Sequence, residues 1–342
     1  MYKAYLYIIG AVMALMVSCR PSGPATDGAP AMTNDLLLGF TPVKDQGRGS
    51  LCWMYAMLST IETDRLMTGD SVHLSVAYPV RRYMEDMAAT RYLCGPSYPL
   101  SMRGTGALAL YLTGLYGAAT YDAYPGPPHG GADAVARGLG QLARYAPSLG
   151  AMRQRTATYL DQRMGALPYA VYMLGAQYTF QEFAHSVYAT RYVALTSFTH
   201  HPFGQPFALE VPDNTLRARF LNIPIDSLMA SIDRALTHKH AVCWEGDVSE
   251  PGFSFIHGVA TLPDGTQADQ AHRQLQFERH RTTDDHCMSL IGMAHDSQGH
   301  RYYIAKNSWG TRNPYHGLMY LSYEYVKMKT IAIYISDETY HI

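Results

Sequence analysis

The chain has 342 residues, of which 47% are hydrophobic and 16% charged, so it can bury a large core and is too apolar for intrinsic disorder. Its 27 basic and 28 acidic residues give a net charge of -1, which argues against a nucleic-acid partner held by a basic surface. Five cysteines without a C-x-x-C pair are too sparse for a disulfide-stabilised scaffold.

The N-terminal segment has the pattern of an export signal. Residues 4–18 carry no charge and are flanked by Lys3 and Arg20. As a helix they reach about 22 Å, short of the roughly 30 Å hydrocarbon core of a membrane. We therefore predict a signal peptide over residues 1–18 rather than a transmembrane anchor.

Cys19 follows the signal in a pattern that resembles a bacterial lipobox. The preceding residues are Met16-Val17-Ser18, and the following stretch is rich in Pro, Gly and Ala. We expect a lipid on Cys19 and a flexible tether over residues 19–40, with ordinary cleaved secretion as the alternative. The predicted location is the membrane of a bacterial cell envelope, at the periplasm or the cell surface.

A turn-rich loop then runs directly into a helical pattern at Cys52. Ser50 is the expected N-cap and Gly69 the expected stop. One face of the helix carries apolar residues at helical spacing, namely Met54, Met57, Leu58 and Ile61. In the first turn, free N–H groups and the helix dipole favour a thiolate, the nucleophilic form of cysteine. The alternative is a small buried hydrophobic residue.

The middle of the chain is predominantly helical by pattern. We predict helices near residues 107–115, 135–142, 157–164 and 180–189, and another that starts at Pro224. The predicted organisation is a helical lobe over residues 41–124, a helical insertion over 125–212 and a β-rich lobe over 213–342. Fifteen histidines raise the question of a metal site, with the pair His200-His201 and the set His238, His240 and Cys243 as candidates. No metal-binding spacing accompanies them, and we predict no metal and no cofactor.

Near the C-terminus, two apolar runs flank a turn around Ser297-Gln298 and predict a β-hairpin. This register places His286 opposite Trp309 and diagonal to Asn307 on one sheet face. The asparagine oxygen would then orient the imidazole, and Trp309 would shield the bond from water. Cys287 follows in the strand and should point away from His286. Together with Cys94 and Cys243, it is expected to be unpaired.

Gln46, the Cys52-Trp53 pair, Asp285-His286 and Asn307-Ser308-Trp309-Gly310 together resemble the papain-like cysteine peptidases. Asp45-Gln46-Gly47-Arg48, residues 222–228 and 242–248, and His286-Cys287-Met288 are similar to the bleomycin hydrolase and aminopeptidase C branch. The resemblance covers residues 41 to 335. It implies an α+β, two-lobed papain-like fold, in which a helical lobe carries the nucleophile and an antiparallel, barrel-like lobe carries the base.

By this resemblance, Cys52 is the nucleophile, His286 the general acid and base, Asn307 the orienting residue and Gln46 a donor to the oxyanion hole. Gly104, Trp53, Asp285 and Trp309 are expected to contact a peptide or protein substrate. Arg103 stands where relatives have the first glycine of a Gly-Gly pair, so the subsite preference is open. The C-terminal arm of the branch is not expected here. The choice between exopeptidase and endopeptidase activity therefore stays open, as does the oligomeric state. The alternatives are acyl transfer at the same site, or a catalytically silent binding lipoprotein.

Overall fold

The secondary structure is described for residues 29–127, 131–187 and 191–340 of this computed structural model. Helices in these ranges are α1 (Cys52–Met67), α2 (Ala77–Cys94), α3 (Gly106–Tyr116), α4 (Ala132–Arg144), α5 (Leu149–Met164), α6 (Phe180–Val187), α7 (Ile225–Thr237), α8 (Gln270–Glu278), α9 (Tyr323–Lys329) and α10 (Asp337–Tyr340). Strands are β1 (Met32–Leu37), β2 (Val171–Met173), β3 (Ala176–Tyr178), β4 (Tyr192–Thr196), β5 (Pro206–Ala208), β6 (Arg219–Asn222), β7 (Val242–Gly246), β8 (Phe253–Ser254), β9 (Val259–Ala260), β10 (His286–Asp296), β11 (Arg301–Lys306), β12 (Leu318–Ser322) and β13 (Thr330–Ser336).

Helix α1 lies at the centre of the molecule, between helix α3 and strands β7 and β10. Every residue from Ala56 to Asp64 is buried. The predicted helix is confirmed, and its burial extends beyond the apolar face, because the helix is covered on one side by helices and on the other by the sheet. Thr60, Glu62 and Asp64 are hydrogen-bonded, as expected for buried polar residues, whereas the hydroxyls of Ser59 and Thr63 have no partner among the described residues. Asp64, for example, accepts bonds from the Tyr192 hydroxyl at 2.7 Å and the Ala241 N–H at 2.8 Å.

The helices predicted in the middle of the chain are confirmed as α3 to α7. Helices α4 and α5 pack on α2 and so enlarge the helical lobe. The predicted helical insertion over residues 125–212 is wrong for its last part. After α6 the chain enters the main sheet, because β4 pairs with β13 and β5 pairs with β6. The short, turn-rich strands in this stretch carried too weak a periodicity to be recognised.

Among the described residues, the main sheet has eleven strands in the order β5-β6-β4-β13-β7-β10-β11-β12-β9-β8, with β1 added to β10. Most neighbours are antiparallel, while β4–β6 and β9–β12 are parallel. The predicted hairpin is confirmed as β10–β11. Ser289 pairs with Lys306 and Leu290 with Ala305, the register expected near the site. A bulge between Leu290 and Gly292 shifts the pairing farther along the hairpin.

The predicted tether over residues 19–40 is wrong for its last part, because Met32–Leu37 forms strand β1 on β10. Asp35 also contacts His295, with 2.8 Å between Oδ1 and Nδ1. The polar residues of β1 face solvent, so the composition of this stretch did not indicate a strand. The predicted signal peptide over residues 1–18, and Cys19, lie outside the described residues. Within the described part of the chain, every helix is too short or too polar to span a membrane.

The described residues form two hydrophobic cores. One lies among the helices and includes Trp53, Leu108 and Phe183. The other lies around the sheet and includes Trp244 and Val326. Helix α1 begins where the helical core meets β10, so the two lobes share this boundary. The predicted α+β architecture with a helical lobe and a β-rich lobe is confirmed.

Candidate active site

Cys52 is the first residue of α1 and is partly exposed. Ser50 is not the N-cap, contrary to the sequence prediction. Its N–H and hydroxyl instead bond to Asp133 Oδ2 of α4, at 2.7 and 3.2 Å, which leaves Leu51 in the cap position. No side chain caps this end of the helix. The N–H groups of the first turn that lack an acceptor in the helix therefore favour a negative charge on Cys52. They are also open to solvent.

His286 and Asn307 meet across the β10–β11 hairpin. The distance from His286 Nε2 to Asn307 Oδ1 is 2.8 Å, and the same oxygen accepts the Ser308 N–H at 2.7 Å. The Trp309 ring lies over His286 with 4.5 Å between ring centroids. His286 is 3% exposed, so the bond is shielded from water. The asparagine oxygen holds a proton on Nε2, and the other ring nitrogen is left to serve Cys52.

The two residues at the start of β10, His286 and Cys287, perturb the pKa of the Cys52 thiol. The largest effect comes from the Cys287 side chain, which lowers the pKa of Cys52 well below its ordinary value. Burial opposes this effect, while a hydrogen bond and the charge of His286 reinforce it. The Cys287 N–H adds a further bond to the sulfur. The site therefore favours a Cys52 thiolate beside a histidine.

Cys287 lies on the face of β10 opposite to His286, as the strand periodicity predicts. That face packs against α1, as shown by the 3.0 Å bond between the Thr60 and Ser289 hydroxyls, two residues farther along β10. Cys287 is 2% exposed and belongs to the hydrophobic core among the helices.

Gln46 is fixed beside Cys52 by bonds at both ends of its amide. Its Oε1 accepts the Ser308 hydroxyl at 2.6 Å, and its Nε2 donates to the Gly49 carbonyl at 2.6 Å. The Gly49 carbonyl decides the orientation, since an oxygen in place of Nε2 would face another acceptor. One of the two N–H bonds of Nε2 is used in this way, so a second donor remains at the edge of the cleft.

These residues line one cavity of about 320 Å³ between the lobes. Cys52, His286, Gln46, Asp285 and Trp309 all contribute to its wall. Residues separated by more than 230 positions along the chain thus meet in a single groove. A nucleophile, a base with its orienting partner and an amide donor stand together there, which is a set suited to acyl transfer.

No known family profile and no curated protein sequence matches this chain. Among solved structures, PepW from Lactobacillus rhamnosis HN001 aligns over 99% of this chain and 89% of its own, with 16% identity and a TM-score of 0.71. The bromelain protease from Ananas comosus aligns over 87% of this chain and 93% of its own, with 16% identity and a TM-score of 0.43. A structure from work on the mite allergens Blo t 1 and Der p 1 covers 96% and 77%, with 15% identity and a TM-score of 0.42.

The alignment with PepW extends through both lobes and the groove between them. The chain has the papain-like fold. In this papain-like fold the helix that begins at Cys52 and the hairpin that carries His286 and Asn307 come from different lobes, as predicted.

Two of the four predicted substrate contacts are not on the cavity wall. Trp53 is completely buried and donates its ring N–H to the Met102 carbonyl at 2.9 Å. Gly104 is also buried, and a Cβ there would lie 2.6 Å from Leu108 and 3.0 Å from the Trp53 ring. Gly104 therefore makes room for core packing. The exposed residue of this loop is Arg103, which lines the cavity in its place.

Arg103 connects the two lobes across the groove. Its Nε donates to Asp213 Oδ1 at 2.7 Å and its terminal NH2 group to the Asp284 carbonyl at 3.1 Å. Beyond it lies a second cavity of about 580 Å³, which shares Arg103 and Asp285 with the first. Sequence reasoning noted Arg103 only as a departure from relatives and missed Asp213 and Asp284, because their proximity depends on how the lobes dock.

A pair of buried carboxyl groups lies behind the nucleophile. Glu245 and Asp284 are both buried, and Glu245 accepts the Tyr334 hydroxyl at 3.0 Å. Burial raises the pKa of Glu245 to about 7. Burial, together with the charge of Glu245, also raises the pKa of Asp284. At neutral pH the pair therefore retains a proton close to Cys52.

A buried cluster of opposite charges supports Asn307 from behind. Glu62 is fully buried and lies 2.8 Å from Lys44 Nζ and 3.9 Å from Lys306 Nζ. Thr41 and the Leu74 N–H also donate to its carboxylate. Burial lowers the pKa of Lys306 to about 8, even with Glu62 present. Lys306 immediately precedes Asn307, so this cluster fixes the strand end that carries the orienting residue.

The only three-residue group in the described part of the chain that could hold a metal is His200, His201 and Glu210. The two imidazoles contact the Glu210 carboxylate at 3.2 and 2.6 Å. Gln274 donates to His200 Nδ1 at 3.0 Å, so Nε2 of that ring carries the proton directed at Glu210. Hydrogen bonds account for this group, and we assign no metal to it. His238 bonds to the Arg234 carbonyl, and Cys243 is buried.

Proposed function

We propose that this protein is a cysteine peptidase that hydrolyses peptide bonds through Cys52. The observation that carries the proposal is that Cys52 and His286 line one cavity in the groove of a papain-like fold, with His286 Nε2 2.8 Å from Asn307 Oδ1. Each of these residues has the environment that its proposed role requires.

In the proposed mechanism the Cys52 thiolate attacks the carbonyl carbon of the scissile peptide bond. The tetrahedral oxyanion is stabilised by the Cys52 backbone N–H and the free N–H of Gln46. His286 protonates the leaving amine, and the carbon–nitrogen bond breaks to leave an acyl-enzyme. The same histidine then takes a proton from water, which attacks the thioester and releases the acid. Asn307 keeps the imidazole oriented throughout.

The proposed substrate is a peptide or protein, and one feature favours substrates with a free N-terminus. Asp285 is exposed at the junction of the two cavities, and none of the basic side chains in the described residues forms an ion pair with it. A substrate ammonium group close to the scissile bond would be attracted to this carboxylate. We propose aminopeptidase activity on this basis. Comparing hydrolysis rates of free and N-acetylated forms of one peptide tests it, and equal rates would contradict it.

Variants of the site test the peptidase proposal. We expect Cys52→Ala and His286→Ala to abolish hydrolysis and Gln46→Ala to reduce kcat by about 10²-fold to 10³-fold, as for the loss of one oxyanion donor. Cys94→Ala is a matched control, because this exposed thiol lies at the end of α2. An iodoacetamide-type reagent should label Cys52 rapidly, and more slowly in His286→Ala. Sluggish labelling of the unchanged protein and no hydrolysis would favour a binding protein. Transfer of the acyl group to an added amine instead of water would favour an acyl transferase.

We also propose that the protein is exported and held at a membrane by a lipid on Cys19. The support is the sequence pattern of residues 1–19. Expression with radiolabelled palmitate should label the unchanged chain and leave Cys19→Ala unlabelled, with the variant released from the membrane fraction. A labelled Cys19→Ala protein would contradict the proposed attachment site.

A further inference from the structure

A further cavity, of about 560 Å³, lies between α1 and the loops that precede α2 and follow α3. The proposed peptide hydrolysis makes no use of it. Its volume is typical of small-molecule sites, which combine apolar walls with a few convergent polar groups. The polar groups belong to Lys44, Asp45, Tyr55, His73 and Tyr121, and the apolar wall to Pro42, Val43, Val76 and residues 125–127.

Lys44 brings a cation to this cavity and has one N–H bond to spare. Two of its three N–H bonds are directed at the Glu62 carboxylate at 2.8 Å and the Leu74 carbonyl at 3.0 Å. The ammonium group lies over the Tyr121 ring, 5.6 Å from the ring centroid. An ammonium group only donates hydrogen bonds, so the third N–H bond requires an acceptor, and none is present among the described residues.

Three polar groups near Lys44 form no hydrogen bond with any described residue. They are the hydroxyls of Tyr55 and Tyr121 and the buried Nε2 atom of His73, whose ring lies 4.6 Å from that of Tyr121. Burial and the charge of Lys44 lower the pKa of His73, so its imidazole is neutral at pH 7. Burial raises the pKa of Tyr55 to about 12, so its hydroxyl retains the proton that it can donate. Donors around a cation suit a carboxylate.

Asp45 supplies the opposite charge in the same cavity. It is exposed and accepts the Gly47 N–H at 2.8 Å, and no basic side chain of the described residues forms an ion pair with it. Its carboxylate repels a ligand with several negative charges and attracts an ammonium group. Because Lys44 and Asp45 line one cavity, a single small molecule can meet both charges.

We propose that this cavity binds a small zwitterion with an apolar side chain, namely a free amino acid or a dipeptide. Lys44 and the two tyrosine hydroxyls hold the carboxylate, Asp45 attracts the ammonium group, and the wall of proline and valine residues holds the side chain. The inference goes beyond the proposed peptide hydrolysis and does not depend on it, because Cys52 lines a different cavity.

Isothermal titration calorimetry tests the proposal on the full chain alkylated at Cys52 with iodoacetamide, which prevents hydrolysis of the probes. The probes are L-leucine, the dipeptide leucyl-leucine, L-leucine methyl ester without the carboxylate, and N-acetyl-L-leucine without the ammonium group. We expect one molecule of L-leucine or of the dipeptide to bind per chain, and the tighter of the two identifies the source of the zwitterion. The ester and the acetylated form should each bind at least about 10-fold more weakly than the preferred zwitterion, as for the loss of a charged hydrogen bond. Equal binding of either derivative, or no binding of both zwitterions, overturns the proposal.

Variants of the cavity wall localise the binding. Tyr55→Phe and Tyr121→Phe each remove one hydroxyl and keep the ring, and each should weaken binding of the zwitterion by about 3-fold to 10-fold. Asp45→Asn should weaken it by about 10-fold and abolish the preference over N-acetyl-L-leucine. Tyr111→Phe is the matched control, because this exposed tyrosine of α3 is not on the cavity wall, and its binding should be unchanged. Thermal unfolding verifies that all four variants are folded.

The groove that contains Cys52 is the competing location for an amino acid. Because the cavity is separate from that groove, the alkylated and the unmodified chain should bind L-leucine equally. Loss of binding on alkylation, or unchanged binding in the Tyr55, Tyr121 and Asp45 variants, would overturn the proposal. The calorimetry does not require hydrolysis. A chain that binds the zwitterion but cleaves no peptide would therefore refute the peptidase proposal alone.

Discussion

The buried cluster around Glu62 offers a quantitative test of how the site is supported. Substituting Glu62→Gln preserves the shape of the side chain and an acceptor for the Leu74 N–H, which donates to Oε1 at 2.6 Å. It removes the negative charge between Lys44 and Lys306. Lys306 is 3% exposed, so its ammonium group would lose its only ion-pair partner among the described residues while remaining out of water.

The expected loss of stability is the sum of separate contributions from Lys306 and Lys44. The pKa of Lys306 is already about 8, so removing the nearby carboxylate lowers it further and makes release of the proton easier at neutral pH. Because Lys306 can release its proton, its contribution to the loss of stability at pH 7 is limited to about 1.4 kcal/mol, the equivalent of one pH unit. Lys44 loses a charged hydrogen bond at 2.8 Å, worth about 1.5–3 kcal/mol. We expect a total loss of about 3–4 kcal/mol at pH 7, within the range for broken buried ion pairs.

The pH dependence provides a stricter test. A lysine whose folded pKa is lowered binds fewer protons in the folded than in the unfolded state, so stability rises as the pH passes the folded pKa. Above pH 8 Lys306 is neutral in both proteins, and its share of the difference disappears. Urea unfolding at pH 7 and pH 9 should therefore give a difference that is smaller by about 1 kcal/mol at the higher pH.

The matched control is Asp70→Asn, which removes the exposed partner of Arg65. Surface ion pairs contribute little, so we expect a change within about 1 kcal/mol. A loss below about 1 kcal/mol for Glu62→Gln at pH 7 would show that the cluster does not hold the charges as described. A difference that grows between pH 7 and pH 9 would refute the assigned role of Lys306.

Three further predictions address the core, the acidic pair and the orienting residue. Gly104→Ala should cost about 1–3 kcal/mol in urea unfolding because its Cβ would lie 2.6 Å from Leu108, whereas Gly114→Ala, with open space around it, should be neutral or stabilising; equal effects would contradict the packing argument. The folded pKa of Glu245 is raised from 4.5 to about 7, so the folded state retains a proton that the unfolded state releases, and about 3 kcal/mol of stability is lost as the pH rises through this window. Glu245→Gln should flatten that decline in urea titrations at pH 5 to 8, and an unchanged slope would exclude Glu245 as its source. Asn307→Ala should lower kcat by about 10-fold to 10²-fold, with little change in KM and a shifted pH profile of kcat. This decrease is smaller than the roughly 10²-fold to 10⁴-fold contribution of acid–base catalysis itself. A change in KM alone would exclude an orienting role.

The sequence by itself determined the elements that depend on near neighbours. The helix that begins at Cys52 and the hairpin that brings His286 to Asn307 follow from apolar spacing and turn residues, which act over a few residues. The likeness of several short motifs to one peptidase branch also pointed to the papain-like fold. Ser50 was misassigned as the N-cap because its true partner, Asp133, is 83 residues away.

Only the tertiary structure decided which residues of the two lobes touch. The exclusion of Trp53 and Gly104 from the groove and the Arg103 bridge to Asp213 both depend on how α1 and the adjacent loop dock on the sheet. Periodicity specifies which face of a strand a side chain occupies. It cannot specify what packs against that face, because docking is selected by shape, burial and charge pairing between segments far apart along the chain.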